Sequence, residues 1–390
     1  MTGQSVLSPP GAPFSPHSAS FADTDLDRLR VLIVHDWIAS WAGSERCVEQ
    51  LLTLFPQADL VVGLRAEGFR DLNAVTRRAR ETWVARLPGA RRHHRWFVPL
   101  LAPAFAALDT EPYDLVISSS HAFAKAVRVR PGARHICYCY SPPRYLWHLE
   151  ATYRQSATGP QRAALAIGGP VLRWLDRRSA AGVHHFITIS RHIAAQVRAI
   201  YGRDSTVVYP PVAPKPGASM LERGDFLLSL GRLVPYKRVD LAIQAAEDLG
   251  QRLIVAGDGP DRQRLEQLAG RHTEFVGEVS EEAAGRLLDS CAALVFCAEE
   301  DFGIAPVEAN AHGVPVVGYR AGGLQESMVE GETAEFFEHQ TVADLAAAIQ
   351  RARSREWDRS ALRRNAARFS PETFRAGFRA AVLAALNGGG

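Results

Sequence analysis

The chain has 390 residues, a formal net charge of +3, 47% hydrophobic and 22% charged residues. That length accommodates two domains with cores of their own, and the composition is that of a soluble globular chain. A charge so near neutrality argues against nucleic acid as a partner; no apolar run reaches the roughly 18 residues of a membrane-spanning helix, and no basic-then-apolar leader is visible.

Residues 1–28 are rich in Ser, Pro and Gly without periodicity and read as a disordered tail. Arg30–His35 is a buried strand running into Asp36-Trp37 and a loop containing Ala42-Gly43-Ser44. The amphipathic run Glu45–Phe55 follows as a helix. Strand, small-residue loop and helix make an anion-friendly helix start, or an ordinary βα turn that needs glycine for tight geometry. Leu60–Gly63 is a short strand. Arg77–Arg95 then holds seven arginines, two histidines and one acid, Glu81, with Trp83, Trp96 and Phe97 interleaved or adjoining. It reads either as a segment that lies on an anionic membrane or as a solvated basic face over an apolar stripe.

Asp114–Ser119 is a strand that leaves His121 at its carboxyl end, where active sites collect, although a lone histidine is as readily structural. His135–Tyr140 is a strand ending in Ser141–Trp147. Ala163–Ser179 is a helix, Phe186–Ile189 a strand, and Ser190 caps the helix His192–Ile200. Thr206–Tyr209 ends this series, and residues 213–224 are a polar linker. The five cysteines sit mostly in apolar surroundings, as free thiols of a reducing cytosol do, and Cys137-Tyr138-Cys139 lacks zinc-ligand spacing.

A second series begins with the strand Phe226–Leu230 and the loop holding Arg232 and Lys237; the helix Val239–Leu249 follows. Two cations after a strand suit a diphosphate, or are two exposed loop charges. Strands at Leu253–Ala256, Glu274–Val276, Ala292–Cys297 and Val314–Tyr319 continue the series, with helices at Val342–Arg353, Ala361–Phe369 and Pro371–Leu386. After Ala292–Cys297 come acidic residues, a glycine turn and Pro306, expected to open the helical run Val307–His312. Gly303, Ile304 and Ala305 then present backbone N–H groups to an anion. Glu300 and Glu308 flank that point, so one ligand could touch both, with its phosphates between. Strands alternating with helices predict an α/β fold with a Rossmann-like parallel sheet in each half.

The spacing Glu300 to Glu308, with Phe302-Gly303 and Pro306 between, resembles the E-x7-E region of retaining GT-B glycosyltransferases, glycosyltransferase family 4. Further resemblance lies in His35-Asp36-Trp37, Gly43-Ser44-Glu45-Arg46, Tyr113–Lys125, Arg144-Tyr145-Leu146-Trp147, Val208–Val212, Arg232–Asp240 and Gly257–Pro260. The subgroup it looks most like is the bacterial mannosyltransferases that use GDP-mannose to build O-antigen or exopolysaccharide. The resemblance implies a GT-B fold: an acceptor domain over 29–212, the linker 213–224, a nucleotide-sugar domain over 225–369, and a terminal helix over 370–390 crossing back. It implies Arg232, Lys237 and Gly43 on the donor diphosphate, Glu300 on the donor hexose, Glu308 on the ribose and His121 on the reacting sugar. Phe302, Gly303, Ile304 and Ala305 line the donor, and Tyr140, Arg144, Tyr145 and Trp147 lie on the acceptor side. Two departures stand out: Ala42-Gly43-Ser44 replaces a double glycine, and Tyr140, Pro143 and His148 replace His, Met and Asp of H-T-P-M-R-Y-x-W-D.

No D-x-D at a strand end is evident, so neither metal nor cofactor is expected. The implied partners are a nucleotide sugar, a polyprenyl-diphosphate-linked glycan and the anionic inner face of the cell membrane, with a cytoplasmic, peripheral location. Other readings are a UDP- or dTDP-sugar donor, a nucleotide-sugar or sugar-phosphate enzyme without a glycan acceptor, and a non-catalytic scaffold.

Overall fold

The computed structural model describes residues 23–39, 43–68, 78–148, 150–151, 159–214 and 224–388. Residues 1–22 of the expected tail, Ala42, Arg77 and linker residues 215–223 lie outside them. The tail reading extends too far: Asp23–Arg28 form a 3-10 helix, because Leu26 is buried at 2% exposure.

The first sheet contains β1 (Val31–His35), β2 (Asp59–Val62), β3 (Ala79–Glu81), β4 (Leu115–Ser120), β5 (Arg134–Cys139), β6 (His185–Thr188) and β7 (Ser205–Val207), in the order β3-β2-β1-β4-β5-β6-β7. The second contains β8 (Leu227–Leu230), β9 (Leu253–Ala256), β10 (Thr273–Gly277), β11 (Ala293–Phe296), β12 (Val316–Tyr319) and β13 (Ala334–Phe337), in the order β10-β9-β8-β11-β12-β13. Every pairing in both sheets is parallel. Residues of β1 and β4 are buried along their whole length, as expected of strands covered on both faces. Each sheet reverses its order once, between β1 and β4 and between β8 and β11, and such reversals open a crevice at the carboxyl ends.

Helices α1 (Gly43–Leu54), α2 (His94–Ala106), α3 (Gly159–Ala181) and α4 (Arg191–Tyr201) accompany the first sheet. With the second go α5 (Val239–Leu249), α6 (Arg262–Leu268), α7 (Glu281–Ser290), α8 (Ile304–Ala311), α9 (Leu324–Ser327), α10 (Val342–Ser354), α11 (Arg359–Ala367) and α12 (Pro371–Asn387). Helix α2 carries Pro99 and Pro103 inside it, and those prolines hid it from the sequence reading. Helix α12 opens on the Ser370 cap and packs on α1 and β5, where Phe374 and Phe378 meet the Tyr138 ring edge-on, each at 5.6 Å. The chain's last helix thus returns to the first unit. One apolar cluster runs from β1 through α12 to β8 and β11. All five cysteines are buried thiols, and burial pushes Cys47 up to about 12.

Candidate functional site

The acidic loop after β11 is shaped by glycine. A Cβ on Gly322 would stand 2.3 Å from the Glu300 carbonyl and one on Gly323 2.3 Å from that of Asp301. The Gly323 N–H donates to the Glu300 carbonyl at 2.8 Å. Gly303 precedes α8 with φ +87°, a left-handed conformation that glycine adopts without steric cost. The helix then begins at Ile304, earlier than the expected Val307; Pro306 falls within its first turn, where no helical N–H is needed.

Glu300 and Glu308 both meet cations. Lys237 Nζ lies 3.1 Å from Glu300 Oε1. Burial would raise the Glu300 carboxyl, but Lys237 and Arg144 outweigh it and hold it low. Lys237 stays charged: burial opposes its proton, yet Glu300 keeps its pKa above the ordinary lysine value. Glu308 is 4% exposed and accepts from Arg46 Nη1 at 2.9 Å, while the other Arg46 nitrogen bonds Glu281. Arg46 sits on α1 of the first unit, so the expected ribose ligand is held across the cleft. Sequence reasoning gave Arg46 no role, and a pairing over 262 residues leaves no local signal.

Arg144 spans the cleft as well. Its Nε and Nη2 reach Asp301 Oδ2 at 2.8 and 2.5 Å, with Tyr236 at 3.4 Å from Nη1. The Asp301 carbonyl accepts from Ser190 Oγ at 2.6 Å. Arg144, expected on the acceptor side, therefore straps the two units together. Arg232 is exposed and has no hydrogen bond or ion pair among the described residues. Together with Lys237 it lines the crevice between the carboxyl ends of β8 and β11.

His121 stands at the end of β4, as expected, against Trp37 with ring centroids 4.3 Å apart. Its loop is held by Asp36, whose carboxylate accepts from the backbone N–H of His121, Ala122, Phe123 and Ala124 at 2.6–2.8 Å. Burial would raise Asp36, but the His121 and His35 rings and these donors hold it below the ordinary carboxylate range. Burial depresses the His121 ring despite Asp36, so the imidazole is neutral at pH 7. Gly43 opens α1, and a Cβ there would stand 2.3 Å from Ile304 Cδ1. The starts of α1 and α8 therefore face each other across the cleft, and both positive helix ends favour an anion.

Four expected site residues are turned elsewhere. Phe302 is 2% exposed, its ring tilted against Tyr209 and edge-on to Phe369, so it belongs to the core. Trp147 donates to Asp176 at 2.9 Å, behind the buried Lys125–Asp176 pair. Tyr145 packs against the first unit's apolar cluster. Tyr140, 9% exposed, serves the start of α1: its hydroxyl donates to the Ser44 carbonyl at 3.0 Å and meets Ser119 Oγ at 2.8 Å. Ser119 Oγ lies 3.0 Å from His35 Nδ1. Because a carbonyl can only accept, the polarity of the chain is set: His35 donates to Ser119, Ser119 to Tyr140 and Tyr140 to Ser44. Tyr140→Phe is expected to raise the donor KM a few-fold at nearly unchanged kcat, because the α1 start loses its tie while the reacting groups remain. Steady-state kinetics with varied donor checks it; an unchanged KM means the tie does not position the anion site.

Residues 41–215 match the family Glycosyltransferase Family 4, and residues 218–369 match Glycosyl transferases group 1. The chain belongs to the GT-B glycosyltransferases of group 1 and family 4. Family membership accounts for the two facing parallel sheets. Glycogen synthase of Mycobacterium tuberculosis is 31% identical over 199 residues, 45% of this chain and 46% of that one. The GDP-mannose-dependent alpha-(1-6)-phosphatidylinositol monomannoside mannosyltransferase of Mycolicibacterium smegmatis is 28% identical over 212 residues, 46% of this chain and 56% of that one. The chain thus spans about half the length of these curated relatives. In fold it is similar to Anabaena HepE, solved with UDP and glucose, at a TM-score of 0.63 and 17% identity over 91% of this chain and 99% of that one.

Proposed function

We propose that the chain is a retaining hexosyltransferase that moves mannose from GDP-mannose to a polyprenyl-diphosphate-linked glycan at the cytoplasmic face of the membrane. The observation that carries this reading is the meeting of two helix starts, at Gly43 and Ile304, beside Arg232 and Lys237 and between Glu300 and Glu308. That arrangement suits a sugar joined to a nucleoside diphosphate. As the C1–O bond breaks, negative charge grows on the diphosphate, and the helix starts with Arg232 and Lys237 stabilise it. Neutral His121 faces the sugar as a hydrogen-bonding group. The acceptor hydroxyl attacks C1 from the side that the phosphate leaves, and the departing phosphate oxygen takes its proton. Asp36 is fully buried and committed to four N–H donors, which supports this route over a protein nucleophile. Glu308 takes the ribose hydroxyls by exchanging its bond to Arg46.

The test is thermal shift with GDP-mannose, UDP-glucose, UDP-galactose and dTDP-glucose, followed by transfer to a polyprenyl-diphosphate-linked glycan. GDP-mannose should raise the melting temperature most, since a ligand that binds the native state stabilises it. A larger shift with a UDP- or dTDP-sugar overturns the donor. Turnover of the nucleotide sugar without any acceptor overturns the reaction class.

Two kinetic results are expected. Glu308→Ala should raise the donor KM through lost ribose bonds, whereas Glu300→Ala should act mainly on kcat because the hexose moves in the reaction. Indistinguishable profiles would remove the separate roles. Activity should also persist in excess chelator, because Arg232, Lys237 and two helix ends already compensate the phosphate charge; loss restored by magnesium or manganese would require a metal.

A further inference from the structure

The arginine-rich segment is less free than its composition implies. Arg78 donates to the Pro56 and Ala58 carbonyls, Arg80 to Tyr113, and Arg91 makes two bonds to Glu81. Conspicuous apolar exposure lies elsewhere in the same unit. On α3, Ile167, Val171 and Trp174 are 80%, 58% and 59% exposed, while Leu172 and Leu175 of the same helix pack into the core. Spacings of four and three residues align the exposed three as one stripe. Helix α2 packs beside α3 and exposes Trp96 and Leu100, again four residues apart.

The exposed charge carried by α2 and α3 themselves is basic, and the acid that reaches α3 from outside it, Glu150, is neutralised by Arg173 at 2.7 Å. The single acid in α3, Asp176, is fully buried against Lys125 at 2.6 Å, and α2 has none. Arg177 and Arg178 are exposed, and Arg178 lies over the Trp174 ring at 5.6 Å. No described helix is long and apolar enough to cross a membrane. An apolar stripe with a net basic flank matches the boundary of an anionic bilayer, where aliphatic groups and indole enter the acyl edge and guanidinium groups meet phosphates.

We propose that the outward face of α3 is a membrane-docking surface, with Ile167, Val171 and Trp174 inserted into an anionic bilayer and Arg177 and Arg178 on its headgroups. This deepens the reading of a lipid-linked acceptor by naming the surface that reaches it, and rests on that reading only for its purpose.

The test is co-sedimentation of the full chain, without donor or acceptor, with vesicles of phosphatidylglycerol and phosphatidylcholine or of phosphatidylcholine alone, at two salt concentrations. The chain should pellet with the anionic vesicles and less so as salt rises, because screening shortens the reach of the arginines. Ile167→Ser/Val171→Ser/Trp174→Ser should weaken partitioning about tenfold or more. Arg177→Glu/Arg178→Glu should remove the preference for anionic vesicles, and Trp83→Ser, off this helix, should leave it intact. Melting curves and the donor-induced thermal shift of each variant establish that it is folded. Wild-type protein staying in the supernatant, a triple variant that pellets equally, or a triple variant that converts a dimer into a monomer overturns the proposal; the last would make the stripe a self-interface. Vesicle binding without a nucleotide-sugar shift would overturn the transferase reading and leave the docking surface standing.

Discussion

Lys237→Ala is expected to lower kcat/KM for the donor about tenfold to a hundredfold. A charge-assisted hydrogen bond contributes roughly 1.5–3 kcal/mol, and each 1.4 kcal/mol is about tenfold in rate. The structure adds a second cost. Lys237 neutralises Glu300 at 3.1 Å, so its removal leaves a partly buried carboxylate facing the incoming diphosphate with one cation fewer. Lys237→Arg keeps the charge and should recover part of the loss. Because the two side chains share a bond, Lys237→Ala and Glu300→Ala should be non-additive, the double variant costing less than the product of the singles. Kinetics at sub-saturating donor decide: an unchanged kcat/KM for Lys237→Ala would remove it from the diphosphate site.

Asp36→Asn is expected to be the most damaging single change to the fold of the site. The carboxylate accepts four backbone N–H groups, and an amide of the same shape offers one oxygen and two donors of its own. Losing two charge-assisted bonds costs about 3 kcal/mol or more, which corresponds to a fall of roughly 6–12 °C in melting temperature. The loop carrying His121 loses its anchor at the same time, so kcat should fall with stability. The pH dependence carries the same signature. Asp36 and Glu300 are held below their ordinary values of 3.8 and 4.5, so the stability they contribute is present above those values and is lost as pH falls through the lower folded ones. The melting temperature should begin to fall below about pH 6.5, where the unfolded chain protonates His121 and His135 that burial keeps neutral in the fold, and fall further below about 4.5 as Asp36 and Glu300 lose their charge, this acid limb being shallower in Asp36→Asn. A variant with wild-type melting temperature and acid profile would show that the four bonds contribute little.

Much of the chain could be read locally because its signals are local. Unbroken apolar runs such as Arg30–His35 and Ala292–Cys297 become buried parallel strands, since a strand covered on both faces needs no alternation. Gly303 before α8 and Gly43 at the start of α1 mark helix starts by residue type alone, and those starts are the proposed anion sites. Where the signal was short or contradictory, the reading missed. Ala79–Glu81, three residues inside a basic stretch, becomes an edge strand because β2 pairs with it, and α2 forms over two prolines because its apolar face packs into the first unit.

Local patterns along the chain specify the alternation of strands and helices, the two glycine-marked helix starts and the side chains proposed to meet a diphosphate. Which of those side chains meet each other follows from the packing of the two units. Arg46 on Glu308 and Arg144 on Asp301 join residues 262 and 157 positions apart, and Phe302 is core rather than ligand because Tyr209 and Phe369 close over it. Periodicity and turn chemistry act over a few residues of backbone, whereas ion pairs across a cleft depend on how two separately built sheets are set against each other, a relation that no local stretch of chain encodes.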